Sequence, residues 1–314
     1  MDDGAVMDKQ MIERAIPWLA LGFMGIVWGL SFSLGRMAAT SGGTALGIAF
    51  WQSVISGTLL LGISLARGRS IPITRETIKF FVIIAMLGTA VPGACFYLAA
   101  SRVQAGVLSI TVVLVPILTY CIALMMRDER MSLVRFSGVI LGAIAILLLV
   151  GPENSLPDRA AMPWVLLACL SSLCYALENI YLARVKLAAI GPIRVACGMN
   201  LMAAILLAPT ALYFDHLFVP AFPFGVVEWS ILGLGLITMV AYTMFVMTIA
   251  IAGPLFASQV GYVVTLAGVF WGIYIFEETH SSWVWASLVI MLVGLALVSP
   301  RRTTAESDPV KNGQ

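Results

Sequence analysis

Ten apolar segments of helix length, separated by short polar breaks, run along almost the whole of this 314-residue chain. Hydrophobic residues make up 61% of the sequence and charged residues only 11%, whereas roughly a quarter of a soluble domain is charged. A helix needs about 20 apolar residues to cross a bilayer core of about 30 Å. We therefore predict an all-α integral membrane protein with ten transmembrane helices. They begin near Ala15, Ala45, Phe80, Ala105, Val134, Pro163, Ile193, Trp229, Pro254 and Trp283.

The positive charges indicate how these spans are oriented. Ten spans put both termini on one side. If that side is the cytoplasm, 15 of the 18 Lys and Arg residues lie in cytoplasmic segments, and the other three are Arg36, Arg102 and Arg159. Short cytoplasmic loops carry such an excess of positive residues. We therefore predict cytoplasmic tails at 1–14 and 301–314, in a protein of the bacterial inner membrane.

Two parts of the chain carry matching residues at equal spacing. Phe96 and Glu129 in the first half match Phe245 and Glu278 in the second, and each acid follows an apolar run. Each copy holds five spans, which is an odd number, so the second copy enters the membrane upside down. Such an inverted repeat is typical of transporters, whose related halves open alternately to the two sides. The two predicted five-helix repeats are residues 15–152 and 163–300.

Residues in span one, across spans four and five, and in the second repeat are similar to those of a known family. They are the run Trp28 to Ser33, then Pro116, Glu129, Gly138 and Gly142, and in the second repeat Glu278 and Gly294. In them the chain resembles the EamA-type branch of the drug/metabolite transporter superfamily. The resemblance implies a central cavity lined by spans one, three, four, six, eight and nine, with spans five and ten peripheral. The chain departs from the family at Trp51-Gln52, where an Arg often stands, and at Thr265, where a Pro would match the first repeat.

Glu178 is the one acidic residue well inside a predicted span. It precedes Arg184, at the predicted cytoplasmic end of span six, by six residues, and so lies roughly 9 Å deep. A carboxylate in lipid is costly unless it is paired, hydrated or protonated. Facing a wet cavity, Glu178 could bind an ammonium group or exchange a proton. The alternative is an interfacial residue that reaches back to the cytoplasmic surface.

Aromatic and polar side chains near the middles of the spans complete the candidate site. Aromatic walls with a few polar groups are typical of small-molecule pockets, although any one such side chain can equally serve helix packing. Tyr175 and Asn179 adjoin Glu178 on its helix, and the amide of Gln259 needs several partners. The predicted substrate-binding residues are Trp28, Ser31, Tyr97, Thr111, Tyr175, Glu178, Asn179, Tyr242, Gln259 and Tyr262.

Pro92 and Pro116 interrupt the middles of spans three and four. Proline removes a backbone hydrogen bond and frees a carbonyl group. Such breaks serve as hinges or ligand contacts in transporters, or they are static kinks.

Glu129 and Glu278 lie at helix ends on opposite sides of the membrane. We expect each to accept hydrogen bonds from the N-terminus of the helix that follows it. An ion pair of Glu129 with Arg127 or Arg130 could lock a gate, whereas Glu278 has no cation close to it in the sequence.

Other classes of function find little support in the sequence. A net charge of +2 without clustered Lys and Arg argues against a nucleic-acid partner. The five Cys lie inside apolar runs, and neither a metal-ligand pattern nor a nucleophile with a base is present, so we predict no metal, no cofactor and no enzyme.

Transport of small organic metabolites is the predicted function. Export of amino acids or related compounds is the leading hypothesis and import of a nutrient the alternative, with a polytopic membrane enzyme or scaffold as a further one. The expected partners are a small-molecule substrate and the lipid bilayer. Proton coupling is one version of the mechanism, and the protein is expected to be a monomer or a homodimer.

Overall fold

The computed structural model describes residues 3–156, 158–185 and 190–298, and every regular element in those ranges is helical. Eight segments are long and apolar enough to cross a membrane, and two shorter apolar helices bring the number of crossings to the predicted ten. Spans one to ten are Trp18–Thr40, Ala45–Ala66, Arg75–Ala100, Ala105–Met125, Leu133–Val150, Arg159–Arg184, Pro192–Tyr213, Val226–Ile251, Val260–Phe276 and Ser282–Val298.

Some helices extend beyond the apolar segments. Span one belongs to a helix that begins at Asp3, so much of the predicted N-terminal tail is helical. Span eight belongs to the helix Val226–Ser258, which includes the predicted start of span nine at Pro254. The predicted tail 301–314 lies outside the described residues.

Span three changes its helical form in the middle because of Pro92. Its pieces are Arg75–Ala85, a π-helical turn Met86–Ala90, and Val91–Ala100. Pro92 has no amide hydrogen for the carbonyl of Gly88, four residues earlier. The amide of Val91 instead donates to the carbonyl of Met86, five residues earlier, which is the π-helical pattern.

Span four is broken for the same reason. Its pieces are Ala105–Thr111 and Leu114–Met125. Pro116 cannot donate to the carbonyl of Val112. The amide of Val115 donates to that carbonyl instead, at 2.9 Å, and the amide of Val112 donates to Ser109 at 3.3 Å. The predicted interruptions of both spans are present in the structure.

The packing of the spans is preserved when the first five are exchanged with the second five. Spans two and seven pack on each other, and so do spans four and nine and spans five and ten. Span one packs against spans eight and nine, and span six packs correspondingly against spans three and four. Because each repeat holds an odd number of spans, matching helices run in opposite directions across the membrane, which defines an inverted-topology repeat.

Spans five and ten approach each other at the level of the backbone. A Cβ on Gly294 would stand 2.9 Å from the carbonyl oxygen of Gly138, and a Cβ on Gly138 would stand 2.5 Å from that of Gly294. Further along, the hydroxyl of Ser287 donates to the carbonyl of Ala145 at 2.8 Å. Small residues allow such close contact between helices in membranes.

The connections between spans alternate between two sides of the bundle. We name these sides after the repeated acids. The Glu278 side holds the connections 41–44, 101–104, 151–156, 214–225 and 277–281. The Glu129 side holds the connections 67–74 and 126–132. The charge distribution predicts that the Glu129 side faces the cytoplasm.

Candidate functional site

A cavity lies at the centre of the bundle. Its wall takes residues from spans one to four and six to nine, and the described lining includes none from spans five or ten. The space open to the centres of water-sized molecules is about 170 Å³. One water needs roughly 10–15 Å³ of such space, so the cavity fits a solute of on the order of ten heavy atoms.

Spans two and seven were not expected in this wall. Ala49 and Gln52 of span two and Met199 of span seven nevertheless line it. Span two packs against spans three and eight, and so does span seven, which places both beside the cavity that spans three and eight line.

Eight of the ten predicted binding residues line the cavity, and Gln259 and Tyr262 are not among its lining residues. Helical spacing explains the difference, because Val260, Gly261 and Val264 share the face that forms the wall, while Gln259 and Tyr262 share another face. Substrate binding by all ten remains a prediction. The eight are Trp28, Ser31, Tyr97, Thr111, Tyr175, Glu178, Asn179 and Tyr242.

The carboxylate of Glu178 lies inside the bundle and not at its surface. The residue is 4% exposed, and the hydroxyl of Tyr242 in span eight donates to its Oε1 at 2.6 Å. Tyr242 is itself 5% exposed, so water has little access to either group. The alternative in which Glu178 reaches back to the membrane surface therefore does not describe this structure.

Gly88 also lies directly against this carboxylate. It lies in the π-helical turn of span three, and a Cβ there would overlap both carboxylate oxygens of Glu178. Any side chain at this position would displace the acid. The break caused by Pro92 thus brings bare backbone against Glu178.

Two serines of span six bond to the interrupted helices of the first repeat. Ser171 donates to the carbonyl of Pro92 in span three at 2.9 Å. Ser172 donates at 2.9 Å to the carbonyl of Thr111, which lies at the break in span four. Both serines are buried, so these bonds satisfy carbonyl groups that water does not reach. Span six therefore holds both breaks in place while it carries Glu178.

A second polar group in the cavity wall contains Gln52, which the sequence analysis did not include among the binding residues. The hydroxyl of Tyr97 donates to Oε1 of Gln52 in a short hydrogen bond. The Nε2 of Gln52 donates in turn to the hydroxyl of Thr238 in span eight at 2.6 Å. In the sequence, Gln52 was noted only because the family often has an Arg where Trp51-Gln52 stands here. The signal that would have found it is an amide within an apolar run, which is the signal that selected Gln259.

Aromatic rings form much of the remaining wall. The ring of Trp28 meets that of Phe245 edge to face, with centroids 5.7 Å apart, and Phe32 meets Phe96 in the same way at 5.5 Å. The hydroxyl of Ser31 donates to the carbonyl of Trp28, within its own helix, at 2.6 Å. That hydroxyl is therefore already engaged, as is common for Ser and Thr in helices.

Glu278 is buried on its side of the bundle and bonds to a helix of the other repeat. It is 7% exposed, and its two carboxylate oxygens accept from the amides of Ala105 at 2.7 Å and Gly106 at 3.0 Å. These are the first two amides of span four. The prediction that Glu278 bonds to the helix following it is therefore wrong, because folding brings a different helix start to the acid.

Two basic side chains surround Glu278. Arg36 of span one places its Nη1 3.7 Å from Oε1 of Glu278 and donates to the carbonyl of Val103 at 2.5 Å. The Nε2 of His280 lies 3.6 Å from Oε2, and its Nδ1 lies 3.2 Å from Oε1 of Gln104. Burial lowers the pKa of His280, and the neighbouring Glu278 partly opposes that effect.

Glu129 has a different environment from its repeat partner. Its side chain is 45% exposed and forms an ion pair with Arg135 at 2.9 Å, not with Arg127 or Arg130 as predicted. Arg135 belongs to span five, which follows Glu129 in the chain. On the same side, Asp128 forms an ion pair with Arg184 of span six.

Within residues 3–156, 158–185 and 190–298, no three His, Cys, Asp or Glu side chains form a group that could hold a metal ion.

The fold and cavity define a ten-span membrane protein built from an inverted repeat around a central site. The EamA-like transporter family matches residues 16–151 and 162–299, one match for each repeat. The chain therefore belongs to the EamA-like transporter family, whose members carry small solutes across membranes.

Solved structures support the same fold. One crystal structure of a protein has a TM-score of 0.63 against this chain at 16% identity, and the alignment covers 89% of this chain and 96% of the other. At that identity the likeness concerns the fold alone. No curated protein shows significant sequence similarity to this chain.

Proposed function

We propose that this protein exports small metabolites that carry an amino group, amino acids among them, by alternating access through the central cavity. The observation that carries the proposal is the buried carboxylate of Glu178 in the cavity wall. No Lys or Arg is among the described residues of that wall. A substrate ammonium group would supply the missing positive charge through a charge-assisted hydrogen bond.

The remainder of the wall supports the same substrate class. The rings of Trp28, Phe245 and Tyr242 favour a cation beside them as well as an apolar side chain. Asn179 and the Gln52 amide, both in the wall, offer hydrogen bonds that a carboxylate or hydroxyl of the substrate can use. The size of the cavity, on the order of ten heavy atoms, suits an amino acid better than a lipid or a peptide.

A proton is the alternative partner for Glu178. In that version the carboxyl group takes up a proton on one side of the membrane and releases it on the other, and the transport cycle is coupled to the proton gradient. Ammonium binding and proton exchange make different predictions for the variant Glu178→Gln, which keeps the size of the side chain and loses its charge.

The test is counterflow of labelled solutes in proteoliposomes. The panel contains amino acids, simple amines, and matched carboxylic acids without the amino group, each measured from pH 6 to pH 8. Ammonium binding predicts that Glu178→Gln loses at least tenfold in apparent affinity for amino-bearing solutes at every pH. Proton coupling predicts that the variant retains exchange that no longer depends on pH.

Glu153→Gln is the matched control, because Glu153 is an exposed carboxylate that is not among the residues lining the cavity. Unchanged transport by Glu178→Gln across the pH range would exclude both roles of the acid. Equal transport of the acids that lack an amino group would exclude the proposed substrate class. Net flux in vesicles of defined orientation separates export from import.

A further inference from the structure

The two repeated acids are equivalent in sequence and differ in structure. Glu129 and Glu278 occupy the same position in their repeats, as do Phe96 and Phe245. The side chain of Glu278 is 3% exposed and bonds to the first repeat, whereas that of Glu129 is 45% exposed and pairs with Arg135 of its own repeat. The two sides of the bundle are therefore held together differently.

Spans four and nine meet closely on the Glu278 side. The hydroxyl of Ser109 donates to the carbonyl of Thr265 at 3.1 Å, and the hydroxyl of Thr265 donates to the carbonyl of Ser109 at 3.2 Å. A Cβ on Gly272 would stand 2.5 Å from Oε2 of Glu278 and 3.0 Å from the amide of Gly106. We call this contact between spans four and nine, from Ser109 and Thr265 to Gly106 and Gly272, the seam. It joins the first repeat to the second and ends at Glu278.

Replacement of the Glu278 contacts by water would release that seam. The carboxylate accepts two amide hydrogens at 2.7 and 3.0 Å, and both bonds cross from one repeat to the other. Hydrogen bonds to an ionised acceptor are among the strongest in proteins, and their loss exposes two amides and one charge that must be hydrated. Spans four and nine pack on each other there, so a route from the cavity to the Glu278 side that passes between them has to part them.

We propose that Glu278 is the latch of the Glu278 side: its bonds to the amides of Ala105 and Gly106 hold spans four and nine together and break each time the cavity opens to that side. The proposal rests on the alternating access proposed above. Glu129 belongs to the other side, where its partly exposed side chain forms an ion pair with the half-buried Arg135 of its own repeat.

The test measures access to the seam in the absence of any substrate. A Ser109→Cys probe is placed in the full-length protein without its five native Cys, and its labelling by a water-soluble maleimide is timed. Ser109 is fully buried, so labelling reports opening of the seam. Glu278→Gln removes the charge and one strong acceptor, and we expect labelling to be about tenfold faster. Glu129→Gln is the matched control and leaves the labelling rate within twofold of the parent.

The outcomes separate the latch from the proposed function. Parent-like labelling of Glu278→Gln, or equal acceleration by Glu129→Gln, overturns the latch whatever the protein transports. If Glu278→Gln does not fold, Glu278→Asp replaces it: the charge is kept, the reach is one methylene shorter, and labelling must again exceed that of the parent. Faster labelling in a protein that carries no amino-bearing solute would support the latch and overturn the substrate class.

Discussion

The hydrogen bond between Tyr242 and Glu178 offers a measurement of the charge at the centre of the cavity. Tyr242→Phe removes one hydroxyl group and leaves the ring. That hydroxyl donates to Oε1 of Glu178 at 2.6 Å, and both residues are almost fully buried. With little water to replace the lost donor, the variant leaves a buried carboxyl oxygen without the partner it has in the parent.

The size of the effect depends on whether the carboxyl group is ionised. A hydrogen bond to a charged group contributes about 1.5–3 kcal/mol, and one between neutral groups about 0.5–1.5 kcal/mol. A double-mutant cycle with Glu178→Met isolates the coupling, because Met is also unbranched and offers the Tyr242 hydroxyl only a weak acceptor, so that each single variant removes the interaction. We expect a coupling above about 1.5 kcal/mol at neutral pH if Glu178 is available to hold an ammonium group.

Equilibrium unfolding of the purified protein in mixed micelles measures the coupling. Tyr213→Phe is the control, since Tyr213 is 84% exposed, and its stability should lie within about 0.5 kcal/mol of the parent. A coupling of about 1 kcal/mol would indicate a protonated acid and favour the proton-exchange version. A coupling indistinguishable from zero would refute the reasoning, because the bond would then contribute nothing at a buried site.

Two further predictions concern packing and pH. Gly294→Ala forces a Cβ to 2.9 Å from the carbonyl oxygen of Gly138 and should destabilise the protein by about 1–3 kcal/mol in the same unfolding assay, whereas Gly22→Ala, with no atom within 4 Å of the new Cβ, should not. Because burial lowers the pKa of His280, the folded state binds fewer protons there than the unfolded state, so stability is retained above about pH 6.5 and declines below it. Between pH 7.5 and pH 5.5 the melting temperature should fall further for the parent than for His280→Gln. Equal falls would contradict the role given to His280.

Much of the fold could be predicted because its determinants are local. A run of about 20 apolar residues crosses a membrane wherever it folds, and proline breaks its own helix, as Pro92 and Pro116 do. Glu178 could be singled out because an acid in an apolar span is costly in every tertiary arrangement. These inferences need no knowledge of which helices become neighbours.

The remainder depended on tertiary neighbours. The amides that bond to Glu278 precede it by more than 170 residues, so the sequence near the acid carries no sign of them. The bond from Tyr97 to Gln52 joins two spans whose facing sides are fixed only by packing. Gln259 was selected by chemical type and lies on a helix face that does not line the cavity, because a polar residue in an apolar span does not reveal its direction.

The serine bonds of span six have a consequence for how the two halves can move. Ser171 and Ser172 attach this span, the first of the second repeat, to spans three and four of the first repeat. Span one packs in the corresponding way against spans eight and nine. These contacts group the spans in a way that cuts across the duplicated sequence. Each group combines one exchanged helix with two helices of the opposite repeat, and in the alternating access proposed above Glu178 would move together with the breaks at Pro92 and Pro116.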